Sequence, residues 1–245
     1  MGRRTVVEVG VALLAGALLG VGAHLWLGPA GASTVPIAST VDVAGATMER
    51  TGVVPDGVVA AATAGVLEVH ASGCGGDRQA SATFVCDGSG RELLLTNAHV
   101  VRGAASVRVV LADGSDAELA VLGAVDGKDA ALLDPSPLRG AATAAAQGPS
   151  VGLGDPVVVA GHPAGSFRLD ASDVVDVQRR AAYGSASDVL LVGAAAEGGH
   201  SGGAVMDAAG AVVGLVAARD PGTGRVVAYR IDELLDATLG APPGC

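Results

Sequence analysis

A chain of 245 residues, half of them hydrophobic and only 2% aromatic, buries one substantial domain plus an appendage, with a core built from Val, Leu and Ala. A formal charge of −10 without any run of Lys or Arg excludes the basic footprint that nucleic-acid binding requires. The charge serves solubility and points to no partner by itself.

The first stretch of definite character is 9–27, which carries no formal charge, holds only the neutral His24 and follows Arg3 and Arg4. As a helix it spans about 28 Å, close to the hydrocarbon thickness of a bilayer. Arginines on its N-terminal side predict a cytoplasmic N-terminus and an exported remainder. Glu8 then lies at the inner edge and Trp26 at the outer interface. The competing reading is a signal peptide cleaved near Ala30-Gly31-Ala32. The apolar run exceeds the usual ~7–15 residues of such a segment, which favours an uncleaved transmembrane anchor over residues 1–28. A lipid bilayer is therefore an expected partner, with secretion after cleavage as the alternative.

Residues 29–55 are rich in Ala, Gly, Ser, Thr and Pro without sustained periodicity, and predict a flexible linker. A short helix is predicted around 58–64. Short apolar runs separated by Gly, Asp and Pro follow at 66–70, 80–86, 93–95, 106–111, 117–125, 130–133, 156–161, 189–193, 211–217 and 225–231. Many short strands at this spacing predict an all-β barrel or sandwich domain over 56–245. The stretch 141–148 reads as a connection, and 231–239 has helical apolar spacing ended by Gly240, which predicts a short C-terminal helix. No metal-ligand cluster, nucleotide loop, internal repeat or appended peptide-binding domain is legible, and His70 and His162 read as structural.

The chemistry concentrates at Glu197-Gly198-Gly199-His200-Ser201-Gly202-Gly203-Ala204. Glycines on both sides of Ser201 free the backbone to take φ > 0 and let consecutive amide N–H groups converge on one point. A serine hydroxyl needs a base and an orienting group to become a nucleophile. His99, in Leu95-Thr96-Asn97-Ala98-His99-Val100-Val101, and Asp129, in Asp129-Ala130-Ala131-Leu132-Leu133, supply them. The segment Gly199-His200-Ser201-Gly202-Gly203 also fits the Gly-x-Ser-x-Gly elbow of α/β-hydrolases, in which the histidine follows the serine. His24, His70, His99, His162 and His200 all precede Ser201, so order excludes that fold.

Thr-Asn-Ala-His-Val-Val, Asp-Ala-Ala-Leu and Gly-His-Ser-Gly-Gly, in that order, resemble the motifs of bacterial trypsin-like serine proteases. The likeness is to the HtrA/Deg type and the membrane-anchored periplasmic proteases related to it, from about residue 55 to the C-terminus. The resemblance implies two packed six-stranded antiparallel β-barrels, with His99 and Asp129 on the first and Ser201 on the second. It also implies polypeptide substrates, no metal or organic cofactor, and an oxyanion hole made by the N–H groups of Gly199 and Ser201. Ala195 would lie at the base of the specificity pocket, with Ala217, Ala218 and Arg219 along one wall. That lining predicts cleavage after small or medium apolar residues. His200 stands where the family has Asp or Asn, and Ala204 where Pro is common. Without an acid at position 200, activation by capture of a new N-terminus is not expected. A catalytically inactive binding module on the same fold is the rival, against which the retention of all three residue types argues.

Three cysteines, Cys74, Cys86 and Cys245, allow three pairings. If Gly75-Gly76-Asp77-Arg78 forms a turn, Cys74 lies opposite Gln79 and roughly 23 Å from Cys86, beyond the ~7 Å reach of a disulfide. The resemblance implies a tail tied back to the first barrel, hence a Cys74–Cys245 bridge with Cys86 free. The runner-up is Cys86–Cys245.

Overall fold

The computed structural model describes residues 38–43, 46–182 and 185–244. Among the described residues no helix is long and apolar enough to cross a membrane. The expected anchor and Cys245 lie outside them.

The apolar runs form strands, and many are buried on both faces because the domain has three cores rather than two. In Arg78–Cys86, Ala80, Ala82 and Phe84 point into one cluster while Val85 joins another. Val157 and Val159 of Pro156–Gly161 face the interior of the C-terminal barrel, whereas Val158 and Ala160 face the other way, as do Val189 and Leu191 against Leu190 and Val192. Alternation of side chains along a strand sends one set inward and the other into the seam between the barrels. The seam core contains Leu95, Leu132, Val158, Leu191, Leu215 and Tyr229, drawn from both halves. It sets the two halves face to face where the candidate site lies.

The C-terminal half is a closed ring of six antiparallel strands in the order Phe167–Ala182, Pro156–Gly161, Ala204–Met206, Val212–Arg219, Arg225–Arg230 and Ser185–Ala195, with the last pairing back to the first. The N-terminal half runs Val121–Val125, Ala131–Leu133, Glu92–Thr96, Arg78–Cys86, Val66–Gly73, Ala104–Val110 and Asp116–Glu118, and its ladder stays open. The expectation of two closed barrels is corrected to one closed barrel and one open half-barrel. Asp116–Glu118 and Val121–Val125, which would close it, are separated only by Leu119 and Ala120. Those two are engaged elsewhere, Leu119 N–H donating to Val107 O and Ala120 O accepting from Asp134 N–H.

The predicted short helix is present as Asp56–Gly65. Residues read as linker are not all irregular: Ala38–Val43 and Ala46–Thr51 make an antiparallel hairpin whose second strand pairs in parallel with 167–170 of the C-terminal barrel. Strand Phe167–Ala182 was invisible as an apolar run because charged residues interrupt it throughout. The C-terminal helix stops at Leu235, and Leu239–Gly240 instead pairs with Val125 and Ala124. In the first hairpin Gln79 pairs with His70 rather than with Cys74, which sits in the turn.

Candidate active site

Strand Glu92–Thr96 ends at Asn97, and the single helical turn Ala98–Val101 carries His99 at the mouth of the seam. Asp129 sits between Val121–Val125 and Ala131–Leu133, in a tight connection where Val125 N–H donates to Ala130 O at 2.8 Å. Its carboxylate takes two hydrogen bonds from one residue: the His99 backbone N–H at 2.8 Å on Oδ1, and His99 Nδ1 at 2.6 Å on Oδ2. A carboxylate only accepts, so the ring proton lies on Nδ1 and Nε2 is left with its lone pair. Asp129 is 4% exposed, so its carboxylate is shielded from water, while the His99 side chain is 39% exposed.

The acid is held from both halves of the molecule. Asn97 Nδ2 donates to Asp129 O at 2.6 Å, and Asp129 N–H donates to Tyr229 Oη at 3.2 Å from the C-terminal barrel. Next to it Lys128 Nζ pairs with Glu233 Oε2 at 2.6 Å, bonds Ser187 Oγ at 2.5 Å and stands 5.7 Å from the centre of the Tyr229 ring. These contacts cross the seam beside the acid and lock its loop.

The turn that presents Ser201 needs its glycines for space as well as for dihedral angle. Gly199 has φ +99° and Gly202 φ +80°; a Cβ would come within 2.3 Å of His162 O at the first and within 2.1 Å of Ser81 O at the second. Glu197 and His200 are linked reciprocally, His200 N–H donating to Glu197 O at 3.2 Å and Glu197 N–H donating to His200 Nδ1 at 3.1 Å. Gly202 N–H donates to Val216 O at 2.9 Å. The N-terminal half grips the same turn: Ser81 N–H donates to Ser201 O at 2.8 Å, Ser81 Oγ to Gly199 O at 2.7 Å and Thr83 Oγ1 to Gly202 O at 2.9 Å. Thr96 Oγ1 in turn donates to Ser81 O at 2.8 Å, which links the turn to the strand leading into His99.

Among the described residues the N–H groups of Gly199 and Ser201 donate to no protein acceptor, and no hydrogen bond joins Ser201 Oγ to the His99 ring. His200 is 1% exposed, with Nε2 3.5 Å from Arg168 Nη2 and 3.8 Å from Asp170 Oδ2. Burial, and then the Arg168 charge, pull its pKa below the ordinary histidine value. Arg168 bridges Asp170 and Glu197 at 2.9 Å each, so the back of the turn is a charged cluster.

The residues assigned to the specificity pocket share the C-terminal barrel. Ala195 ends its strand opposite Arg225, while Ala218 and Arg219 pair with Val227 and Val226 on the other side of the same strand. Ala217 is buried at 7%, Ala195, Ala218 and Arg219 are exposed, and the Arg219 guanidinium lies against Gly224. Sequence reasoning missed Ser81, Thr83, Thr96, Tyr229 and Arg168. A signal existed for the first three, since buried hydroxyls inside apolar runs require partners that the run itself lacks.

A model of the trypsin-like peptidase domain matches residues 80–215, more than half of the 245, and this span contains His99, Asp129 and Ser201. The chain belongs to the trypsin-like peptidase family. The peptidase is 34% identical over 158 residues to HhoA of Synechocystis sp., a serine protease by its name, in an alignment covering 61% of this chain and 40% of HhoA. It spans about two fifths of that relative's length. The solved HtrA-type protease AlgW with tripeptide is 25% identical, with a TM-score of 0.65, over 74% of the peptidase and 61% of AlgW. The Rv3671c protease from M. tuberculosis in its active form is 23% identical over 89% of the peptidase and 98% of that chain, and its TM-score of 0.64 shows the shared fold.

Proposed function

We propose that this peptidase is a serine endopeptidase that hydrolyses peptide bonds of exported proteins through His99, Asp129 and Ser201. The observation that carries the reading is the double hold of Asp129 on His99, on its backbone N–H and on Nδ1, beside a glycine-built turn that presents Ser201. His99 Nε2 takes the proton of Ser201 as Oγ attacks the carbonyl carbon, and later delivers it to the leaving amine. Asp129 keeps the ring in the required tautomer and stabilises the imidazolium without taking the proton. Gly199 and Ser201 N–H groups receive the oxyanion, each such donor contributing on the order of 10² to 10³ in rate. This chemistry requires no metal or organic cofactor. Polypeptide binding agrees with the tripeptide in AlgW.

Residues 1–28, as an anchor or a secretory signal, place the domain outside the cytoplasm. A Cys74–Cys245 bridge fits that compartment. Two findings support it: Cys86 is a free thiol, and Gly103 relays the tail to the first hairpin. Cys74 N–H donates to Gly103 O at 3.1 Å, and Gly103 N–H donates to Pro243 O at 2.9 Å.

The test is covalent labelling with a fluorophosphonate followed by casein hydrolysis. Wild type should label and cleave; Ser201→Ala and His99→Ala should do neither, and Asp129→Asn should lose roughly 10⁴ in kcat. A folded wild type that neither labels nor cleaves would make the protein a binding module on a peptidase fold.

A further inference from the structure

Ser81 is fully buried, yet no apolar cluster needs it. Its neighbours Ala80 and Ala82 point into the N-terminal core, so the Ser81 side chain faces the seam. There its hydroxyl is used twice: Oγ donates to Gly199 O at 2.7 Å and accepts from His162 N–H at 2.9 Å. One buried hydroxyl thus ties the loop after Pro156–Gly161 to the turn before Ser201.

That loop grips the next carbonyl back. Ala164 N–H donates to Gly198 O at 3.2 Å, and Gln79 Nε2 secures His162 O at 2.7 Å. Ala164 does so at φ 50°, the one non-glycine residue with positive φ among those described. Such a conformation persists only where its surroundings impose it.

The consequence lies in peptide geometry. In a trans peptide the C=O and the following N–H point in opposite directions. With Gly198 C=O held on Ala164, the Gly199 N–H is turned away from the 162–166 loop. With Gly199 C=O held on Ser81, the next peptide cannot rotate to compensate. Removing the hydroxyl would free Gly199 C=O and His162 N–H together, and the Gly198–Gly199 peptide could then turn over.

We propose that Ser81 is a positioning residue for the oxyanion hole: through Gly199 C=O and His162 N–H it sets the direction of the Gly199 N–H. The proposal rests on the serine endopeptidase reading, and the experiment separates the two. Full-length wild type, Ser81→Ala and Ser81→Cys are compared on one fluorogenic peptide for kcat and KM. A peptide aldehyde of the same sequence, whose adduct with Ser201 places an oxyanion in the hole, reports on the transition state. The corresponding product acid, which makes no adduct, reports on ground-state binding.

Ser81→Ala should lower kcat by roughly 10- to 100-fold with KM within about twofold, and raise the aldehyde Ki by the same factor as kcat/KM falls. The product acid should bind unchanged. Ser81→Cys, similar in size but a weaker donor, should fall between the two, and it carries the test should Ser81→Ala not fold. An unchanged kcat, a fall in kcat with the aldehyde Ki unmoved, or equal weakening of aldehyde and product acid would overturn the role of Ser81. A folded wild type unreactive to fluorophosphonate and peptide alike would instead remove the enzymatic reading on which it stands.

Discussion

His200 shows how much one substitution in a motif alters at the scale of a residue. Its ring accepts Glu197 N–H on Nδ1, so the turn ahead of Ser201 is fastened by a neutral imidazole. Protonation would place a hydrogen on the accepting nitrogen and a positive charge beside Arg168, which Asp170 and Glu197 offset only in part. Because burial and Arg168 lower the His200 pKa, that proton enters below the ordinary value of 6.5. Protonation of His200 at those lower pH values should therefore loosen the turn and reduce activity. On a logarithmic plot of kcat/KM the protonation of His200 should add about one to the slope of the acid limb. His200→Asn should remove that added slope, and identical acid limbs in wild type and His200→Asn would contradict the lock. Specificity belongs at this scale too. A pocket lined by Ala195, Ala218 and Arg219 would offer no negative charge to a basic side chain and would repel it through Arg219, so on that lining a peptide-library profile should favour small or medium apolar residues at the cleaved position. Dominance of Lys or Arg there would refute the assigned lining.

Among the elements, the N-terminal hairpin has the least obvious role. Ala46–Thr51 extends the sheet of the closed barrel in parallel with 167–170, and Met48 at 1% exposure plugs into the seam core. A long side chain fully buried in that core contributes through its packing. Met48→Ala should cost about 2–5 kcal/mol and lower Tm by roughly 5–15 °C. A Tm unchanged by Met48→Ala in a thermal melt would show the hairpin to be an ornament on the barrel. The same strand, Phe167–Ala182, also carries Arg168, so the hairpin lies directly alongside the cluster behind His200.

For the whole molecule the question is what fastens two halves that share only a seam. Tyr229, Lys128 and Ser81 do so around the site, and the tail does so at the far end of the first hairpin through Gly103 and Pro243. A Cys74–Cys245 bridge would close about 170 residues and stabilise the fold by up to roughly 5 kcal/mol in the chain-entropy view. Peptide mapping under non-reducing conditions should recover Cys74 joined to Cys245 and Cys86 as a free thiol. A Cys74–Cys86 peptide, or no bridge in protein taken from the exported compartment, would refute the pairing.

The sequence alone determined the order His99, Asp129, Ser201, the glycine turn and the existence of most strands, because each is written locally: in a motif, in the space only glycine leaves, or in an apolar run of strand length. The tertiary structure alone decided which polar residues serve those features. Ser81 and Thr83 reveal their partners only once the pairing of Arg78–Cys86 assigns their faces, and Tyr229 meets Asp129 only across the seam, 100 positions away in the chain. Closure is likewise a long-range property. The C-terminal ring closes because Phe167–Ala182 and Ser185–Ala195 pair along their length, whereas the N-terminal ladder stays open where Leu119 and Ala120 give their backbone groups to Val107 and Asp134. Strand Phe167–Ala182 and the hairpin beside it escaped a reading by hydrophobic pattern because charged and polar residues break up their apolar ones, so that pairing to distant strands is what brings Met48, Leu169 and Val174 into the core.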